Sequence, residues 1–181
     1  MNLSALALLA GLTVADGAPP ADSLPASRPA RPRPRWRATL SGRVLPTLQL
    51  GVEVNPAADE VGPLLTWFVL TETERRPALF LGSSSDRIGS PKGTQSYYLT
   101  AAKYLPAARL SPYVSLNWSE WDERFNVPFG ANVELGRGFS LQPMYDGHRS
   151  HLLGTWAGER VSATLIWAWY ERAGAAVSLG F

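Results

Sequence analysis

The chain carries two histidines, and both fall in one short stretch, Asp146-Gly147-His148-Arg149-Ser150-His151. A histidine two residues from a serine can serve as general base to its hydroxyl, with a carboxylate orienting the imidazole. His148 and Ser150 have that spacing, and Glu159 is the next acid along the chain. An Asp-x-His pair, here Asp146 and His148, is the alternative, in which the two activate a water. The plainer reading, which the sequence favours, is structural: Asp-Gly makes a hairpin turn, and His and Arg are polar residues at its tip. Cysteine is absent, and two histidines this close outside a helix do not build a metal site. No Gly-rich phosphate loop is present. The sequence assigns no metal, no cofactor and no catalytic residue, so an enzyme is not expected.

The elements that must position this stretch are strands. Along Phe125–Leu135, Val127, Phe129, Ala131, Val133 and Leu135 share one parity, against Asn126, Gly130, Asn132 and Glu134 on the other. Strict alternation of this kind marks a strand with one apolar face. The same period runs through Thr47–Asn55, Pro63–Leu70, Ala78–Ser84, Ser96–Leu105, Tyr113–Glu120, Phe139–Asp146, Ser150–Gly158, Val161–Tyr170 and Ala175–Phe181. Turn-forming residues separate them, with Glu171–Gly174 as the last turn. That gives ten strands within a range of 8–12, close to the roughly 9–11 residues a tilted membrane strand needs. Trp36–Val44 also alternates, but an eleventh strand breaks the even count of single-chain bacterial barrels. It is read as a lead-in to the first strand.

The N-terminal part reads differently. Residues 1–17 have the pattern of a secretory signal peptide, with an apolar run Leu3–Val14 and small residues in Ala15-Asp16-Gly17. Residues 18–46 form a Pro- and Arg-rich periplasmic linker and lead-in, and residues 47–181 the β-domain. The linker's Arg28, Arg31, Arg33 and Arg35 account for the basic balance. From Trp36 onward thirteen basic residues meet thirteen acidic ones, so no nucleic-acid partner is implied. No apolar run is long enough for a spanning helix.

Alternation alone does not choose between a membrane barrel and a soluble one. Two features favour lipid outside. The polar parity is small and amide-rich, like a filled barrel interior. Aromatics gather toward strand ends, at Trp67, Trp118, Trp121, Tyr145, Trp169 and Tyr170, as interfacial girdles require. The terminal strand, apolar on one parity and ending on Phe181, resembles the last strand of Gram-negative outer-membrane β-barrels. The resemblance implies an all-β, antiparallel up-and-down transmembrane barrel in the outer membrane, porin-like in form. Its partners are then outer-membrane lipid and the barrel-insertion machinery, which reads the terminal Phe. Tyr97–Lys103 and Tyr145-Asp146-Gly147 more faintly resemble barrel proteins associated with exopolysaccharide export. The His148–Ser150 spacing is similar to that of lipid A deacylases, and Asp146–His148 to that of omptin proteases. In such a barrel Glu53, Lys103, Asn117, Asn132, Glu134 and Asp146 face the lumen, with Lys103 and Arg149 placed to pair with the acids. The expected function is structural or accessory to envelope transport. A membrane-embedded hydrolase and a soluble periplasmic lipid-binding β-protein are the alternatives.

Overall fold

The computed structural model describes residues 7–13, 35–55, 59–86 and 93–180. All secondary structure among them is β apart from one 3-10 turn, Pro106–Ala108. No helix there is long and apolar enough to cross a membrane. Phe181 and the linker up to Pro34 lie outside the described residues.

The strands are β1 (Ala7–Thr13), β2 (Arg35–Leu45), β3 (Leu48–Asn55), β4 (Glu60–Leu70), β5 (Ala78–Ser85), β6 (Gln95–Ala102), β7 (Leu110–Ser119), β8 (Arg124–Asn126), β9 (Phe129–Gly136), β10 (Phe139–Tyr145), β11 (Ser150–Ala157), β12 (Val161–Ala168) and β13 (Arg172–Gly180). They form one antiparallel up-and-down sheet in the order β6-β5-β4-β3-β2-β1-β13-β12-β11-β10-β9-β7-β8, with a further β6–β7 ladder. Strands β8 and β9 are one strand in register, since Asn126 opposes Asn117 and Phe129 opposes Val114 on the same neighbour. The Val127–Pro128 break follows from proline's missing donor, yet the Pro128 carbonyl still accepts from the Ser115 amide at 2.8 Å. Counted so, the sheet has twelve strands.

The ten segments expected from Leu48 onward are all present, each within a few residues of its expected bounds. Two departures lie before them. The lead-in is strand β2, paired with β3 over Ala38↔Val54 to Leu45↔Leu48. Ala7–Thr13, inside the leader-like run, is β1, paired to β2 on one side and β13 on the other. The objection to an eleventh strand thus disappears, because two are added together. A third departure concerns the last turn, which sits at 169–171 instead of 171–174. Trp169 and Tyr170 take left-handed conformations there, with φ of 56° and 57°.

Up-and-down order sends successive connections to opposite ends. Those after β3, β5, β7, β10 and β12 share one end with Asp146–Arg149, called here the histidine end. Thr13 and Arg35, cross-strand partners, bring both ends of the linker there, so the linker does not join the sheet at the end where Leu48 begins. The turns after β2, β4, β6, β9 and β11 lie at the opposite end.

The distribution of polarity is inverted. Every buried side chain among the described residues is polar: Glu53, Ser85, Asp86, Ser96, Thr100, Ser115, Ser119 and Asn126. Among the residues whose side chains are described, 38–54, 59–86 and 93–180, no hydrophobic side chain is buried, and the apolar parity, such as Leu50, Val52, Leu65, Trp67, Leu116 and Val177, is exposed. Inward positions are tied by hydroxyl and amide bonds across strands. Thr100 and Ser115 lie 2.6 Å apart, Thr155 and Thr164 2.9 Å, and Gln49 donates to Ser41 at 2.9 Å. Two tyrosines lie along the inner wall over a glycine of the next strand. A Cβ on Gly82 would strike the Tyr98 phenol and the Leu65 carbonyl, and one on Gly130 would come within 2.9 Å of the Tyr113 hydroxyl. Tyr98 is pinned there by Thr66, 3.1 Å from its hydroxyl. Aromatic cover of a strand glycine fixes the local register and keeps the ring flat to the wall.

Candidate functional site

The chemistry-bearing residues gather at the histidine end, from three hairpins far apart in sequence. Asp146 follows β10 and closes its turn as an Asx cap. Its Oδ1 accepts from the amides of His148 at 2.7 Å and Arg149 at 2.8 Å. Its Oδ2 lies 2.8 Å from His151 Nε2. Burial pushes the Asp146 carboxyl up, but the His151 bond and the two amides outweigh it, and its pKa is lowered from the usual 3.8. His148 turns away from Asp146. Its Nε2 lies 2.9 Å from Asp122 Oδ2, in the β7–β8 turn, and its Nδ1 lies 3.2 Å from Arg124 Nη2. Two His–Asp pairs result: His148 to Asp122 bridges two hairpins, and His151 to Asp146 closes its own. The His151 ring also approaches Trp169, with centroids 6.4 Å apart. Trp169 in turn carries the Arg149 and Arg172 guanidiniums over its ring at 4.9 and 5.0 Å. It thus belongs to this cluster and not to the outward girdle.

Neither catalytic arrangement suggested by spacing is assembled. Glu159 sits in the turn at the opposite end, about 25 Å away along the eight-residue β11. Ser150 is exposed as the first residue of β11, while the imidazole of His148 is directed to Asp122 and Arg124. Asp146 meets the His148 backbone and not its ring, so the Asp-x-His spacing builds a turn. No group of three or more His, Asp or Glu among the described residues is placed to hold a metal.

The residues expected in the lumen divide. Glu53 is buried, and Asn117 and Asn132 are half-buried on the inward parity. Asn117 Oδ1 accepts from the Ser96 hydroxyl. Lys103 and Glu134 lie at the opposite end instead. Lys103 pairs with Glu72 at 3.1 Å and also donates to the Thr73 carbonyl, and Glu134 is exposed and accepts from the Tyr104 hydroxyl at 3.1 Å. β6 stops at Ala102, and Lys103 follows it on the parity of the exposed Tyr97 and Leu99. Arg149 is likewise at a strand end, 3.9 Å from Glu171 in the neighbouring turn.

Behind the His–Asp cluster lies a cavity of about 230 Å³. Asp86, Ser96 and Tyr98 line it from β6 and the loop before it, Ser115 and Asn117 from β7, Asn126 and Pro128 from the interrupted strand, and Met144, Asp146 and His148 from β10 and its turn. Asp86 is 2% exposed and accepts from the Ser119 hydroxyl at 2.6 Å and the Trp121 amide at 3.2 Å. Spacing did not reveal Asp86, Asp122 or Asn126 as members of this site. The only available signal was the inward parity of Asn126 next to Asn117 in the adjoining segment.

The chain matches no protein-family model and no curated protein.

Proposed function

We propose that this is an outer-membrane β-barrel protein, closed and porin-like in form, structural or accessory to transport across the envelope and without enzymatic activity. One observation carries the reading: buried side chains are polar and the exposed parity is apolar. A water-soluble domain hides its apolar face, and large contiguous apolar surfaces on soluble monomers are rare. In lipid the order reverses, and every backbone group of a spanning sheet needs a partner. The ladders support that too. Stepping from β7 through β9 to β13, then β1 to β6, meets a hydrogen-bonded neighbour at each step, and β6 pairs with β7. Twelve strands is an even number, as in bacterial single-chain barrels. A soluble lipid-binding barrel would place its apolar parity inside, and the His148 imidazole is engaged by Asp122 and Arg124 while Glu159 lies at the opposite end.

Outer-membrane placement rests on the resemblance of the alternating strand β13 to the last strand of Gram-negative outer-membrane barrels, with Phe181 the proposed contact to the insertion machinery. The leader-like residues 1–17 contain β1, so they do not support it as a cleaved leader. Cleavage after Gly17 would leave β2 and β13 each with an unpaired edge, at several kcal/mol per unsatisfied group in hydrocarbon. The membrane-extracted protein is therefore expected to keep β1, which its intact mass reports.

The membrane reading is tested by heat-modifiable gel migration together with tryptophan quenching by bromine-labelled lipids. Trp67 and Trp167, exposed on the apolar parity, should be quenched. Folding without detergent, with both tryptophans out of reach of lipid quenchers, would replace the barrel by a soluble β-protein.

A further inference from the structure

We propose that the end opposite the histidines is a docking rim for anionic phospholipid headgroups, whose phosphates are held by unpaired arginines at the hairpin tips. The proposal rests on the barrel reading, which puts lipid against the outer wall.

The two ends differ in charge. The five turns at the histidine end carry seven acidic and three basic side chains, and the five at the opposite end carry three acidic and six basic. Pairing widens the difference. Near the histidine end Arg124 and Arg149 each have a carboxylate 3.9 Å away, Asp122 and Glu171. In the opposite turns Lys103 is matched by Glu72. Arg75, Arg76, Arg109, Arg137 and Arg160 are exposed there, and none has an ion pair among the described residues. Residues 1–6 and 181, undescribed and adjoining this end, bring no acidic side chain. Arg109 Nη1 reaches to 4.0 Å from where a Cβ on Gly136 would stand. One guanidinium thus leans over the neighbouring hairpin tip, which carries the next arginine. Like charges brought together without a counter-ion repel, and an anion between them removes that repulsion.

Height along the wall identifies the anion. Leu135 and Phe139 flank Arg137 two residues away on either side, and Val161 follows Arg160; all three are exposed on the apolar wall. At about 3.3 Å per residue, these arginines start within about 7 Å of the last apolar side chain. A headgroup layer occupies about 5–8 Å outside the hydrocarbon on each face. The planar guanidinium fork matches a phosphate through two parallel hydrogen bonds. Cations set at the margin of an apolar wall suit a lipid phosphate better than a soluble acidic partner, which needs no such margin. A zwitterionic headgroup brings its phosphate together with a cation, which a basic rim repels.

The test uses the full chain refolded into phosphatidylcholine vesicles. Spin-labelled phosphatidylglycerol and spin-labelled phosphatidylcholine are added separately, and electron paramagnetic resonance reads the fraction of each slowed at the protein surface. Phosphatidylglycerol should be preferred about threefold, and the preference should fall toward one in 1 M salt. Arg137→Gln with Arg160→Gln should at least halve it. Arg75→Gln with Arg76→Gln should also lower it, and stands in if the first double variant fails to fold. Equal slowing of the two lipids, or a preference unchanged in both double variants, overturns the proposal and leaves the barrel reading intact. Binding of polyglutamate that the double variants lose, without any lipid preference, also overturns it and assigns the rim to a soluble acidic partner. No slowed component for either lipid overturns the barrel reading itself.

Discussion

Replacing Leu165 by arginine separates lipid from water outside the sheet. Leu165 lies in the middle of β12, between Gly154 and Ala175 on the flanking strands, and is 72% exposed. If that face meets water, the substitution removes no packing and should change stability by no more than about 0.5 kcal/mol. If it meets the bilayer midplane, an arginine costs about 2–4 kcal/mol, or roughly 30- to 900-fold in the folding equilibrium. Its neighbour Thr164 points inward and shares a 2.9 Å bond with Thr155, so Thr164→Val should cost about 1 kcal/mol in either solvent. Urea titration of the refolded protein in phosphatidylcholine vesicles reads all three. A Leu165→Arg protein as stable as its parent would refute the inference from inverted burial. The contrast is sharper here than at a half-buried position such as Ala131, where a soluble core would also resist the charge.

Other expectations follow from the same geometry. Gly82→Val should destabilise by several kcal/mol, because its side chain meets both the Leu65 carbonyl and the Tyr98 ring; a urea midpoint equal to the parent's would show that the ring does not lie where described. Asp146, whose pKa is depressed in the folded protein, contributes stability that is fully present above its unfolded value near 3.8 and lost as pH falls through its lower folded value. An Asp146→Asn protein should therefore be less stable than the parent at neutral pH and show a smaller loss on acidification below that range, as followed by thermal melts. Single cysteines at Glu123 and Glu171, exposed at the histidine end, should be labelled by an impermeant reagent on intact cells, and those at Arg137 and Glu159 should not. The reverse pattern would invert the orientation.

Period-two alternation made ten strands legible, because a sheet with one apolar face writes that face into every second residue. It could not say which solvent lay against that face, since Val127 or Leu165 would suit a soluble core as well as lipid. The membrane reading rests on burial, which is a property of the assembled sheet. β1 was hidden because a short apolar run serves a leader and a strand equally. β2 was visible, but a counting rule that lacked β1 set it aside. The site was less legible than the fold. His148 and Ser150 are neighbours in the chain, yet side chains near a turn are aimed by their own hairpin. Partners such as Asp122 come from another hairpin that no local spacing encodes. Glu134 shares the parity of Asn132 but is exposed near the end of β9, and Lys103 continues the outward parity of Tyr97 and Leu99 past the end of β6.

The ladder between β1 and β13 sets a condition on assembly. Ala7 opposes Gly180, 173 positions later, so β1 waits for β13 before it is paired on both sides. Contacts of such separation are slow to form, and until then two strand edges and an apolar wall stand open to any other chain. On the barrel reading proposed above, both edges and the apolar wall have to be covered until β13 is available, and the sheet closes in one late step.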